Sequence, residues 1–194
     1  MRGDGAPEVA SIERKPDAAV LVLMWGWPPR VLMERKSCAL PGRFSCDVAF
    51  PGGRIIGSES PAETALREAW EEAWIPPSSV KVTGSLGLFA TRSEPVIYTE
   101  AILGRVVGPV DPMPRDPEVD AVFWVDVLQL PPPSTVMHRR RGPVYGIEIS
   151  GGLVLWGMTL RIVEALRSRL GAQASQLDQQ HLSDVLVGHE ERRL

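Results

Sequence analysis

The sequence predicts an α/β (α+β) protein in which helices pack on both faces of a mixed central β-sheet. Short β-forming runs crowd the middle of the chain, one long helix pattern interrupts them, and a second follows them. With 194 residues, 44% of them hydrophobic, the chain can bury the core of one ordinary domain. A single domain over residues 1–171 is expected, with 172–194 as a C-terminal tail or docking helix.

The run from Ala18 to Trp25 (AAVLVLMW) is short, apolar and rich in β-formers. A GWPP turn follows, and Arg30 to Arg35 resumes a strand pattern, so the two read as a hairpin. Ser37 to Val48 reads as a loop leading into Phe50-Pro51-Gly52-Gly53, a tight backbone feature. Ser60 as N-cap, Pro61 at the first helical position and Glu63 three residues after the cap form a helix start signal. That helix stops near Ile75, because Pro76 and Pro77 follow.

Strands are expected over Val80 to Ala90, Val96 to Val107 and Ala121 to Val127, with proline-rich loops at Pro109 to Pro117 and Pro131 to Pro133. Gly152 to Leu170 carries apolar residues at helical spacing, and Gly171 is placed as the residue that ends this second helix. The tail contains an amphipathic patch at His181 to Val187.

A formal net charge of -3 gives no global basic field of the kind that draws proteins to nucleic acid or anionic membranes. No stretch of eighteen uncharged apolar residues is present, and residues 1–19 hold acids and no apolar run, so a soluble cytoplasmic protein is expected. Cys38 and Cys46 lie eight apart with no CxxC and no histidine at ligand spacing, which argues against zinc and for plain thiols, with a disulfide between them as the minority alternative. A homodimer is the expected assembly, because the apolar residues of the tail call for a partner surface.

Glu68, Glu71 and Glu72 are spaced i, i+3, i+4, so all three lie on one helical face. Taken alone this reads as a solvated acidic face, since like charges at that spacing repel. A cation among them reverses the sign. Hard oxygen ligands of this kind select magnesium or manganese, which also engage substrate phosphates.

The string GRIIGSESPAETALREAWEEAWI resembles the Nudix box, G-x5-E-x7-R-E-U-x-E-E-x-G-U with U bulky and apolar. Gly53, Glu59, Arg67, Glu68, Glu71 and Glu72 match six of its seven fixed positions; Trp74 stands where the seventh is glycine. Because a left-handed conformation costs a bulky residue on the order of 1 kcal/mol, the helix is expected to run one residue further than in the family, up to the prolines. The resemblance implies an α/β/α sandwich and hydrolysis of a pyrophosphate bond with Mg2+ or Mn2+. It implies that Glu68, Glu71, Glu72 and the Gly52 carbonyl bind metal, that Arg67 belongs to the catalytic set, and that Gly53 and Glu59 brace the box. A glutamate later in such chains often serves as general base or extra ligand. Glu118, in DPEVDAVFW, is chosen here, with Glu94 and Asp120 as rivals and a solvated loop acid as the plain alternative.

Val31 to Gly53, with Arg35, Ser37 and the closing FPGG, resembles the coenzyme A diphosphatase branch of that family. Val144-Tyr145 and Leu155-Trp156-Gly157-Met158-Thr159 resemble its tyrosine loop and WGxT helix. The resemblance implies coenzyme A or acyl-CoA as substrate. Arg35, Arg43 and Arg139, the last within the run His138 to Arg141, read either as phosphate holders or as solvated surface. ADP-ribose or a dinucleotide, a nucleoside triphosphate, and a non-catalytic nucleotide-binding regulatory role are the competing readings.

Overall fold

The computed structural model of the protein describes residues 14–39, 44–92 and 94–172. The tail beyond 172, with its patch at 181–187, and Arg43 lie outside these. The expected hairpin forms from β1 (Ala18–Trp25) and β2 (Arg30–Lys36), with Met24 opposite Val31. β1 is the middle of a seven-stranded mixed sheet. It runs antiparallel to β2 and to β4 (Gly52–Arg54), and parallel to β6 (Tyr98–Val106). β3 (Val48–Ala49) and β7 (Val119–Asp126) both pair with β2, and β5 (Val80–Ala90) pairs with β6.

Alternation along the strands decides what each face buries. Ala19, Leu21 and Leu23 of β1, with Leu32 and Ile102, face Ala65, Ala69 and Ala73 of α1 (Pro61–Ala73). Val22, Val31, Met33, Ala101 and Leu103 face Leu160, Ile162, Val163 and Leu166 of α2, which spans 157–172. The helices therefore sit on opposite faces of one mixed sheet, as the strand and helix order implied. Each fully buried leucine contributes roughly 1.5–3 kcal/mol.

The start of α1 follows the sequence signal. Ser60 Oγ accepts from Glu63 N at 3.3 Å, and Glu63 Oε2 accepts from Ser60 N at 2.8 Å, with Pro61 opening the helix. Its end does not. The helix stops at Ala73, and Trp74 adopts the left-handed conformation (φ 57°, ψ 37°) that its size was expected to forbid. Three contacts offset the strain. Trp74 stacks on Trp70 with ring centroids 4.3 Å apart, the Arg115 guanidinium lies 4.0 Å over its ring, and the turn delivers Ile75 into the fully buried cluster under α1.

Three further differences concern the C-terminal third. Leu153–Trp156, expected to be helical, is β10, which pairs with β9 (Gly142–Ile149); β9 pairs in turn with β8 (Ser134–His138) to make a second, three-stranded sheet. A four-residue apolar run fits either period, and the available strand partner decided it. Gly157, at φ 60°, turns the chain from β10 into α2. Gly171, expected to end the helix, lies within α2, which continues to 172; residues 139–141 form the β8–β9 turn, in keeping with the loop expected there.

Cys38 and Cys46, expected as plain thiols, form a disulfide with Cα atoms 4.6 Å apart. Backbone pairing places them side by side: Cys46 N donates to Lys36 O at 3.1 Å and Lys36 N to Asp47 O at 2.9 Å. Spacing in sequence carried no sign of that pairing.

Ser60→Ala should cost about 1 kcal/mol through the lost cap. A urea melt should show a lower midpoint at unchanged slope; an unchanged midpoint would mean that the capping box contributes nothing to stability.

Candidate active site

The segment from Arg54 to Glu59 folds back over the first turns of α1, and Arg67 holds it there. Its Nε and Nη2 donate to the two Glu59 oxygens at 2.8 and 3.1 Å, and Nη2 also donates to Arg54 O at 3.2 Å. Nη1 reaches Glu68 Oε1 at 2.8 Å and Glu71 Oε2 at 3.0 Å. Glu59 Oε2 further accepts from the buried Thr64 hydroxyl at 2.8 Å. The hydrogen bonds from Arg67, then that from Thr64, hold the Glu59 carboxyl at about 2, against an ordinary 4.5.

Glu72 points the other way, toward the sheet. Its Oε2 accepts from Gly52 N at 2.9 Å, and its Oε1 from Lys36 Nζ at 2.5 Å. The same ammonium forms an ion pair with Glu34 Oε1 at 2.6 Å. Burial pushes the Glu34 carboxyl up to about 8, with Glu72 adding to the rise and Lys36 opposing it. Burial likewise raises Glu72, against Lys36. Burial alone would lower the pKa of Lys36, but Glu34 and Glu72 overcome it and the ammonium is held charged.

Glycine is required at two adjacent positions for different reasons. A Cβ on Gly52 would overlap the backbone of Ala19 and Val20 in β1, and one on Gly53 would overlap the Glu68 carboxylate. Arg67, Glu68, Glu71 and Glu72 thus gather with Gly52, Gly53 and Glu59, as the spacing implied. Glu34 and Lys36 belong with them and were not singled out. The signal was available, because Leu32, Glu34 and Lys36 alternate onto one face of β2, and Leu32 on that face is packed under α1.

Other candidates lie elsewhere. Glu118 is exposed; its backbone N–H donates to Asp116 Oδ1 at 2.7 Å and its carbonyl accepts from Ser37 N at 2.7 Å. Asp120 accepts from Cys38 N at 3.1 Å and from Arg35 Nη2 at 3.3 Å. Those contacts, the Cys38 N–H foremost, hold its carboxyl below the ordinary range. Glu94 is exposed in the β5–β6 connection. Arg35 leaves β2 on the face opposite Glu34, and its Nε is buried without a hydrogen bond. It lines a cavity of about 60 Å³ together with Arg139, His138 and the disulfide. A larger open cleft, about 470 Å³, lies between Phe123, Trp124, Leu130, Ile149 and Leu153. Neither concavity contains a carboxylate of α1, and the chemistry, rather than the size of the hollow, marks the site.

Next to the smaller cavity lies a second polar cluster. Asp47 accepts from Trp156 Nε1 at 3.2 Å, is met by Arg141 Nη2 at 3.3 Å and lies 3.1 Å from His138 Nε2. His138 Nδ1 accepts from Arg140 N at 3.3 Å. His138 is therefore a buried anchor of the β8–β9 turn, and half-buried Trp156 is its partner on Asp47.

The oxygen chemistry of the acidic cluster suits a hard divalent cation. Five carboxyl groups, Glu34, Glu59, Glu68, Glu71 and Glu72, share two cations, Lys36 and Arg67. Buried Glu34 has Lys36 as its ion-pair partner, at 2.6 Å. As the side chains are placed, no three acidic, histidine or cysteine groups among the described residues converge on one point, because Arg67 and Lys36 lie between the acids. No helix among the described residues is long and apolar enough to cross a membrane.

Comparison with known proteins bears on this geometry. The NUDIX domain profile matches residues 15–159. The uncharacterized Nudix hydrolase NudL of Escherichia coli strain K12 is 31% identical, over 80% of this chain and 83% of that protein. NudL of Escherichia fergusonii is 34% identical, with the same coverage of 80% and 83%. Among solved structures, the Nudix hydrolase RenU of M. smegmatis superposes with a TM-score of 0.52 at 17% identity, covering 83% of this chain and 86% of that one. The NUDIX domain of Shewanella oneidensis NrtR, in complex with ADP ribose, superposes with a TM-score of 0.50 at 20% identity, covering 79% and 86%. These two likenesses are of fold.

Two predictions follow from the glycines and the bracket. Gly52→Ala should lower thermal stability by about 1–3 kcal/mol through overlap with β1, whereas Gly53→Ala should leave the melt near wild type and displace Glu68. Equal loss of stability in the two variants would contradict this division. Because the Glu59 pKa is depressed in the fold, its contribution is full above the unfolded value and is lost as pH falls from about 4.5 toward 2. Glu59→Gln should therefore flatten the acid limb of a plot of melting temperature against pH, and a variant as acid-sensitive as wild type would refute the assignment.

Proposed function

The chain belongs to the NUDIX family and is a pyrophosphohydrolase of nucleoside diphosphate derivatives, and from that premise we propose coenzyme A or its acyl esters as substrate, cut with Mg2+ or Mn2+. Glu68, Glu71 and Glu72, with the Gly52 carbonyl, are the groups that hold the ion. The bound ion supplies an acidified water and neutralises charge on the bridging phosphates. Arg67 and Glu59 keep the helix and its preceding loop in one geometry, so the carboxylates need no rearrangement at the moment of reaction. Glu118 is our candidate for the proton acceptor or extra ligand; it is exposed, in the turn just before β7, one residue before the partner of Lys36.

The observation that carries the substrate reading is the meeting of Arg35 from β2 and Arg139 from the β8–β9 turn at one small cavity, across the sheet from the carboxylates. Guanidinium groups bind phosphate oxygens in a fork. A substrate with phosphate at two separated places suits this layout, and coenzyme A carries a 3′-phosphate besides its pyrophosphate. Arg43, outside the described residues, is proposed as a further phosphate contact.

A panel of coenzyme A, its 3′-dephospho form and ADP-ribose, each with magnesium and with manganese, tests the reading. Coenzyme A should yield 3′,5′-ADP and phosphopantetheine, and Arg139→Ala should raise KM for coenzyme A more than for the dephospho form. Rapid cleavage of ADP-ribose with none of coenzyme A would sink the substrate assignment. Glu71→Gln, at a half-exposed position, should cut turnover on the order of 10²–10³-fold while leaving the melt unchanged. Full activity in that variant would mean that the metal assignment is wrong.

A further inference from the structure

The disulfide between Cys38 and Cys46 borders the same cavity as Arg35 and Arg139. Asp120 ties Cys38 to Arg35, accepting from Cys38 N at 3.1 Å and from Arg35 Nη2 at 3.3 Å. Cys46 precedes Asp47, whose carboxylate is met by Arg141 at 3.3 Å and by Trp156 at 3.2 Å. The cross-link therefore joins the end of β2 that carries Arg35 to the residue on which the β8–β9 turn, and with it Arg139, is anchored. Cys46 itself is left-handed, with φ 64°, a conformation that a residue bearing a Cβ keeps where its surroundings enforce it. Both cysteines are half-buried, within reach of a small thiol.

We propose that this disulfide is a redox control on phosphate binding: oxidised, it holds Arg35 and Arg139 at one cavity; reduced, it lets them separate. This rests on the reading of those two arginines as phosphate holders. The reductant is a dithiol. Its thiolate attacks one cysteine sulfur, the protein S–S bond breaks, and the other cysteine leaves as a thiolate that takes up a proton. The reductant's second thiol, giving up its proton, then displaces the first cysteine from the mixed disulfide. Two electrons pass to the protein, which ends with two thiols, and the dithiol ends as a disulfide. Positive charge favours a departing thiolate, and two guanidinium groups line the cavity that both cysteines border. Once the S–S bond is gone, no covalent link keeps Cys46 left-handed, and its relaxation shifts Asp47, the next residue, with the turn anchored there. The carboxylates of α1 lie across the sheet, so the change falls on binding rather than on the hydrolytic step.

Calorimetric titration with 3′,5′-ADP tests this on the oxidised protein, on protein reduced with dithiothreitol, and on Cys38→Ser with Cys46→Ser. Reduction should weaken binding on the order of tenfold, equivalent to the loss of one charge-assisted hydrogen bond, and reoxidation should restore it. The double variant should bind as weakly as the reduced protein and be indifferent to dithiothreitol. Reduction and reoxidation of the wild type involve no substitution, which keeps the test readable should the double variant fold poorly. Unchanged affinity after both cysteines have been titrated as free thiols would overturn the proposal. So would a reduced protein that loses its circular dichroism spectrum, which would make the disulfide a structural staple alone, and so would a dithiothreitol response in the double variant. Failure of the oxidised protein to bind 3′,5′-ADP would instead overturn the phosphate reading of the two arginines, and the proposal with it.

Discussion

Holding like charges close together is the constraint around which this site is built. Five glutamates crowd a region where two unit charges about 4 Å apart repel by roughly 4 kcal/mol at an effective dielectric of 20. Arg67 makes the crowding tolerable on one side. Its planar fork spreads donors over Glu59, Glu68, Glu71 and the Arg54 carbonyl, which a lysine point charge could not do. This explains why a glutamate six residues after Gly53, and an arginine eight further on, accompany the acidic pair. Lys36 does the same on the sheet side for Glu34 and Glu72.

The backbone is arranged to let these groups approach. Gly52 allows β4 to lie against β1 and offers its N–H to Glu72, while Gly53 clears room for Glu68. The site thus sits where one face of the central sheet, the β4 strand and the first turns of α1 meet. The other face carries α2 and the second sheet. Asp47 links them, because its carboxylate is met by Trp156 at the end of β10 and by His138 and Arg141 at the β8–β9 turn. Burial raises the pKa of that carboxylate, and Arg141 opposes the rise.

Much of the scaffold was legible in the sequence because its signals are local. The hairpin bounds, the β5 strand and the Ser60 cap all follow from periods and caps a few residues long. Where a local rule was opposed by packing, it failed. Trp74 takes the left-handed turn because Trp70, Arg115 and the burial of Ile75 outweigh about 1 kcal/mol of strain. Leu153–Trp156 became a strand because β9 offered a partner, and Cys38 met Cys46 because β2 and the residues before β3 pair across the loop.

The sequence by itself determined the box, its spacing and its helix, since each depends on residues within about two dozen positions of one another. Only the tertiary structure decided which charges face that helix. Glu34 and Lys36 join the acids, while Arg35, between them in sequence, points to the opposite side, because a strand turns successive side chains to opposite faces. Which face meets α1 is set by the burial of Leu32 beneath it, a contact between segments some thirty residues apart that no local pattern records.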